Sequence, residues 1–420
     1  MSRHQADAIP HVNTDRLWQW HMRMARFGAT GRGGVNRPAL STDDIELHKQ
    51  IALWARERKF DVEIDDYGNQ FIRRPGTDEN CAPLVSGSHS DSQPTGGRFD
   101  GISGVLAALE AVEVMEEAKI RTRHPLEIVI WNNEEGVRFR PTQMGSAVYA
   151  GHARLGPLQA AVDPQGVSLE TEVDRLRQAV DFASERSLGK PFAGYLELHI
   201  EQGPILEEEQ IDIGIVTSIQ GTRKFEVQIL GEAAHAGTTP SRNRRDALVD
   251  AVNVVKALQI LFYDPLDLVR FTIGQFEVKP GALAVVPDNV FFTIDFRHHE
   301  DAVLKSLGDQ VKAVCEDAAE RCNVSVTETR NAHSENFPES VQKIVETACS
   351  ARGYTYRYLP SGAGHDARYL NAFCPSGMVF IPCRNGISHN EAEYADPAAL
   401  AKGAQIVADT LLMLDEQLTS

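Results

Sequence analysis

The sequence predicts an α/β protein: a discontinuous, mostly parallel-sheet domain interrupted by a ferredoxin-like α+β insertion. Three observations carry that prediction. Over the first third of the 420 residues, strand-like and helix-like pieces alternate, the rhythm of a parallel sheet with helical crossovers. From about residue 218 the order becomes β-α-β-β-α-β, that of a split βαβ sandwich. After residue 331 the α/β character returns, so the larger domain comprises 1–217 and 332–420 and the insertion 218–331.

Taken in order, "ELHKQIALWARERKF" reads as a helix and "PLVSGSH" as a strand. "GISGVLAALEAVEVMEEA" follows as an amphipathic helix, and "PLEIVIWNN", rich in β-branched residues, as a strand. In the insertion, "KFEVQILG" alternates as a half-buried strand and "RRDALVDAVNVVKALQILF" is a helix. "LVRFTIGQFEV" and "NVFFTIDFR" are strands, "EDAVLKSLGDQVKAVCEDAAERC" is a helix and "NVSVTET" a strand. The last part supplies the helix "SVQKIVETACSARG", the buried strand "SGMVFIPC" and the long helix "PAALAKGAQIVADTLLMLDEQL".

Composition narrows the function classes. A net charge of −17 argues against nucleic-acid binding and against an anionic membrane surface, because both require basic patches. No apolar run approaches a membrane span, and the start, "MSRHQADAIPHVNTDRLWQW", has no apolar core of a signal peptide. A cytoplasmic protein is expected. The six cysteines are scattered, with no C-x-x-C pair, and are expected to be reduced and mostly buried.

The chemistry-bearing residues cluster after strands. "SGSHSDSQPTGGRFDG" sets His89, Asp91 and Asp100 on one loop; "WNNEEG" places Glu134 and Glu135 past a buried strand. "ELHIEQGP" carries His199, and "RNGISHNEAEYA" carries His389. Singly, each has a bland reading: a turn, a solvated pair of acids, a core histidine. Together, His89, Asp100, Glu135, His199 and His389 offer three neutral nitrogens and two carboxylates where open α/β sheets bind ligands. That mix suits two borderline divalent ions such as zinc, cobalt or manganese. An Asp can bridge two ions about 3.5–4 Å apart. Asp100 is the candidate bridge, with His89 and His199 completing one ion and Glu135 and His389 the other. Asp91 is placed to orient His89. Glu134, left without a metal, is the candidate general base and then acid.

The run "GSHSDSQPTGGRFDG…NNEEGVRF…ELHIEQGPILE…GEAAHAGTTP…RNRRDA…TIDFR…SGAGHDA…NGISHNEAEY" resembles the dinuclear amidohydrolases that include N-carbamoyl-L-amino acid hydrolase, β-ureidopropionase and allantoate amidohydrolase. These are relatives of the zinc carboxypeptidase and aminoacylase superfamily. The resemblance spans nearly the whole chain, from "GATGRGGVNRPALS" to the last helix. It implies the same ligand set, two divalent ions per subunit, Glu134 as base, and an insertion that acts as lid and dimerises the protein. It also implies that Gln202 faces the substrate, that the partner subunit's His235 polarises the scissile carbonyl, and that Arg297 grips a substrate carboxylate. Gly364 and His365 of "SGAGHDA" are further candidates for substrate contact. One departure stands out: the family usually has Asn thirteen residues before that Arg, whereas this chain has Ala284, which leaves Asn289 as a possible replacement.

The expected activity is cleavage of the ureido C–N bond of an N-carbamoyl-L-amino acid or N-carbamoyl-β-alanine, giving amino acid, ammonia and carbon dioxide. The alternatives are allantoate, acyl-amino-acid or peptide hydrolysis, and, of another class, an inactive metal-binding interaction protein. The last would be favoured by a missing base or ligand, and none is missing.

Overall fold

The structure, a computed structural model, describes residues 10–419. Residues 1–9, part of the start read above for a signal peptide, lie outside the described residues. Two compact units form: one from the chain up to Thr217 and from Phe337 onward, the other from Ser218–Asn336. Among the described residues no helix is long and apolar enough to cross a membrane. All six cysteines are free, four of them buried.

The first unit contains β1 (Asp61–Asp65), β2 (Gln70–Arg74), β3 (Leu84–His89), β4 (Leu126–Trp131), β5 (Ser184–Arg186), β6 (Gly194–Ile200) and β7 (Ile213–Ile219). The insertion contributes β8 (Gly221–Leu230), β9 (Ala234–His235), β10 (Arg270–Lys279), β11 (Val285–Val286), β12 (Asn289–His298), β13 (Asn323–Ala332) and β14 (Glu335–Asn336). The chain then returns with β15 (Tyr356–Ser361) and β16 (Ser376–Ile381). The large sheet runs β7-β16-β6-β3-β4-β2-β1-β5, with β15 also paired to β7. Its centre, β16, β6, β3 and β4, is parallel throughout. The flanks mix directions: β2, β1 and β7 pair antiparallel to their inner neighbours.

The parallel centre is apolar because helices cover it. Helix Ile102–Glu117, between β3 and β4, is buried from Ile102 to Met115, all round rather than on the single face that an amphipathic helix buries. The final helix, Pro397–Thr419, packs beside it. The one fully buried carboxylate of that first helix, Glu110, is matched by the Arg16 guanidinium at 2.7 and 2.8 Å and by the Asn13 N–H at 2.8 Å. Without those partners the buried charge would be strongly destabilising.

The insertion forms a four-stranded antiparallel sheet, β10-β12-β8-β13. Strand β12 alternates buried and half-buried residues along its whole length, so one face is core. Phe225, Val227, Phe292 and Phe296 of that face pack with Val254 and Leu258 of helix Ala247–Leu261 and Leu304 and Val311 of helix Asp301–Ala318. A ribbon of β9 and β11 sets His235 opposite Val285. The unit closes at Asn336, beyond the 331 read from the sequence, because β14 pairs Glu335 and Asn336 with Ile219 and Ser218 where the chain enters.

Candidate metal centre

The four parallel strands deliver the candidate ligands at their carboxyl ends. His89 is the last residue of β3 and His199 the penultimate residue of β6. Glu134 and Glu135 follow β4, and His389 follows β16. Adjacent strand ends bring these loops together, as open parallel sheets do at their ligand sites. Asp100 enters from the loop between β3 and helix Ile102–Glu117. Its neighbour Gly101 has φ +65°, and a Cβ there would stand 2.3 Å from the His89 ring. Only glycine lets that loop turn into the helix directly over the imidazole.

Two donor groups result, His89–Asp100–His199 and Asp100–Glu135–His389, each with its donor atoms within 4.8 Å of one another. Asp100 belongs to both and turns one oxygen to each. Its Oδ1 lies 3.5 Å from His89 Nε2 and 3.1 Å from His199 Nε2. Its Oδ2 lies 3.5 Å from His389 Nε2, which is 3.7 Å from Glu135 Oε2. The Nδ1–H of His89 donates to the Asp91 carbonyl at 2.9 Å and that of His199 to the Ile200 carbonyl at 2.8 Å. Both rings therefore carry a proton on Nδ1 and turn Nε2 toward Asp100, the orientation a metal ligand needs. Glu135 Oε2 accepts from Gln93 Nε2 at 2.7 Å, while its Oε1 is buried with no protein partner. An orphaned carboxylate oxygen beside inward-facing imidazoles fits a divalent cation.

The electrostatics agree. Burial pushes Glu134 well above the usual carboxylate range, and the charge of Glu135 adds to it. Burial, then Asp100, pushes Glu135 up to about 8, and burial lifts Asp91 to about 6. Asp100 goes the other way: burial opposes its charge, but His199 and His89 outweigh burial and hold it well below the ordinary value. Four carboxylates crowded into one buried volume must be neutralised by protons or by a cation placed among them.

Asp91 differs in detail from its expected role. Its carboxylate is 3.6 Å from His89 Nδ1, and its backbone carbonyl does the orienting. The side chain instead accepts the backbone N–H groups of Glu134 and Glu135, each at 3.1 Å. Those two amides are presented together by a turn in which Asn133 has φ +57°. Asp91 thus ties the His89 loop to the glutamate pair. Glu134 Oε2 lies 3.8 Å from His89 Nε2, and the residue is 8% exposed.

Gln202 joins the cluster: its Nε2 donates to Asp100 Oδ2 at 2.8 Å and to Ser388 Oγ at 3.0 Å, while its Oε1 is buried without a partner. His365 is buried behind His199, ring centroids 4.6 Å apart, and its Nε2 meets Ser361 Oγ at 2.8 Å. Gly364 packs on Gln143, whose Nε2 would be 2.5 Å from a Cβ there. Three candidates belong to the inserted unit. His235 is exposed, and its Nδ1 accepts the N–H groups of Gly237 and Thr238 at 3.0 and 3.2 Å, which leaves the ring proton on Nε2. The Ala284 carbonyl accepts the N–H of Ala236 at 2.9 Å, so that position adjoins His235 in the ribbon. Arg297 reaches Asp295 at 3.2 and 3.3 Å, a carboxylate that Lys224 also meets at 3.0 Å. Asn289 opens β12 opposite Leu230 and Lys279. Gln93, Ser388 and Glu393 escaped the sequence reading. They sit within four residues of His89 or His389, but nothing in their type marks them.

This fold and site define an α/β protein with a candidate metal centre at the ends of its parallel strands. Residues 85–413 match the model of peptidase family M20/M25/M40, and the chain belongs to that family. Hydrolases of this family use divalent metal ions, and the two donor groups are where this chain could hold them. An N-carbamoyl-L-amino-acid amidohydrolase of Rhizobium meliloti is 36% identical over 403 residues, 96% of each chain. An allantoate amidohydrolase of Bacillus subtilis is 32% identical over 93% of this chain and 95% of its own. The crystal structure of an amidase of the hydantoinase/carbamoylase family from Burkholderia multivorans is 42% identical, covers 96% of this chain and 98% of its own, and superposes with a TM-score of 0.89.

Proposed function

We propose that this protein is a metal-dependent amidohydrolase acting on the ureido C–N bond of N-carbamoyl-L-amino acids or N-carbamoyl-β-alanine. Water adds to the ureido carbonyl, the C–N bond to the amino acid breaks, and the carbamate released decomposes to ammonia and carbon dioxide. The observation that carries this reading is Asp100, shared by two donor groups with Glu134 beside them. Divalent ions, zinc, manganese or cobalt, held by those groups would supply Lewis acidity toward a carbonyl that two nitrogens make a poor electrophile.

The chain's own residues do the rest. Glu134 takes the proton of the attacking water and returns it to the leaving nitrogen. His235 of the partner subunit offers its Nε2–H to the carbonyl oxygen as charge develops there. Arg297 exchanges Asp295 for the carboxylate of a small substrate, a bidentate role that suits guanidinium. Gln202, with a free Oε1, Gly364 and His365 shape the substrate side, and Asn289 stands in for the amide missing at Ala284. Support for a homodimer through the insertion comes from its exposed apolar side chains, with Ile260 77%, Tyr263 76% and Leu266 74% exposed. A cytoplasmic enzyme completes the reading.

Ala284 favours keeping allantoate as a second substrate class, since a changed side chain beside His235 alters what the substrate meets. The test is ammonia release by purified protein from N-carbamoyl-L-amino acids, N-carbamoyl-β-alanine and allantoate, with acetate release read from N-acetyl-amino acids. Turnover of carbamoyl compounds is expected; turnover of allantoate or acyl-amino acids alone would overturn the reading.

A further inference from the structure

Glu393 is 1% exposed, yet its charge serves no function named so far. Its Oε1 accepts two backbone N–H groups, from Phe99 at 2.9 Å and from Asp100 at 3.0 Å. Its Oε2 lies 3.3 Å from Ser388 Oγ, which in turn reaches Asp100 Oδ2 at 2.9 Å. The loop is shaped around it: a Cβ on Gly97 would stand 2.0 Å from the Glu393 carboxylate. Helix Ile102–Glu117 begins at Gly101 with no side-chain cap of its own. Glu393 instead holds the two residues that precede Gly101, from 293 residues beyond Asp100.

Another acceptor could hold those two amides as well. What sets this residue apart is its place four residues after His389, so that one side chain fixes the spacing between the His389 loop and the backbone of Asp100. The other donor group does not depend on it in the same way. Asp100 is tied to His199 through the Gly101 N–H, 3.2 Å from His199 Nε2, and to His89 by the packing of Gly101 on that ring.

We propose that Glu393 is a positioning residue for the cation held by Asp100, Glu135 and His389. The proposal rests on the metal reading of those three side chains. The test titrates Co²⁺ into metal-free full-length protein, followed by calorimetry and by the visible cobalt spectrum. Wild type is expected to take up two ions. Glu393→Ala should weaken the second by about 10- to 100-fold, the range for lost outer partners of metal ligands, change its cobalt band, and leave the first within about threefold. Glu393→Gln, which keeps an acceptor for both amides, should recover most of the loss. Glu393→Asp, shorter by one methylene, should show the same selective weakening and serves if the Ala protein does not fold. Equal weakening of both ions, or unchanged binding with a lowered melting temperature alone, would overturn the proposal and leave Glu393 a structural anchor of the loop. Wild-type protein that binds no Co²⁺ would overturn the metal reading itself, and the proposal with it.

Discussion

The two donor groups share Asp100 and differ in almost everything else. His89 and His199 are strand residues, 2% and 1% exposed, and each ring is locked by a backbone carbonyl. His389 sits on a loop at φ +53°, its side chain 51% exposed, and its partner Glu135 keeps one oxygen without a protein donor. Asp100 Oδ2, the oxygen turned toward this second group, already accepts from Gln202 and Ser388. Strand-borne sites are held more precisely than loop-borne ones. The first group, where the Gly101 N–H engages only His199 Nε2, is therefore the more rigid, and the second has more hydrogen bonds to exchange on binding a cation. An ion in the first group should accordingly be held more tightly than one in the second.

The largest expected effect leaves both groups intact. Glu134 contacts the first group at 3.8 Å but belongs to neither. Glu134→Gln should keep the metal content and fold of the wild type while kcat falls by about 10²–10⁴, the usual contribution of a general base. Near-normal turnover in that variant would move the proton transfer to another residue.

Next come the groups themselves. His199→Ala removes a locked ligand from the more rigid group, whereas His389→Ala removes an exposed one. After dialysis against a weak chelator, elemental analysis should find His389→Ala holding one ion per chain and His199→Ala holding fewer. The melting temperature should drop more for His199→Ala, because an ion at about 100 times its Kd stabilises the folded state by about 2.7 kcal/mol. Equal losses would erase the asymmetry argued from burial.

A smaller effect sharpens the second group alone. Gln93 Nε2 is the donor, at 2.7 Å, that fixes Glu135. Gln93→Ala should weaken the more labile ion by about tenfold, the low end for an outer partner of a ligand, without touching the first. Calorimetric titration of the metal-free protein reads this directly.

How much of this was written in the sequence depends on what each residue can be confused with. Strands β3, β4 and β16 each carry a run of apolar residues and end in polar loops, so both the strands and the residues after them could be read. The hairpin of β1 and β2 could not: "DVEID" is acidic and short, and only its pairing across Ile64 and Gln70 makes it a strand. Five His, Asp and Glu side chains at strand ends suggested the two groups before any distance was known. The reversal inside Asp91 was invisible, since carbonyl and carboxylate of one residue differ here by only 0.7 Å in reach to His89, 2.9 against 3.6 Å. Glu393 looks like surface in "SHNEAEY" and is buried only because the chain brings Gly97 against it.

The smallest expected effect concerns acid and a histidine outside both donor groups. His21 lies beneath the loop that carries Asp100, its ring centroid 5.5 Å from that of Phe99, and both its nitrogens are buried without partners. Burial pushes its pKa down to about 3, against about 6.5 in an unfolded chain. Between those values the unfolded chain binds more protons than the folded one. The stability contributed is complete above about pH 6.5 and is lost as pH falls through that window. At pH 5.5 the loss is about 1.4 kcal/mol by this linkage. Urea unfolding of wild type and His21→Leu at pH 7.5 and 5.5 should show the wild type losing about 1 kcal/mol more than the variant on acidification. If both proteins lose stability in parallel, His21 plays no part in the acid sensitivity.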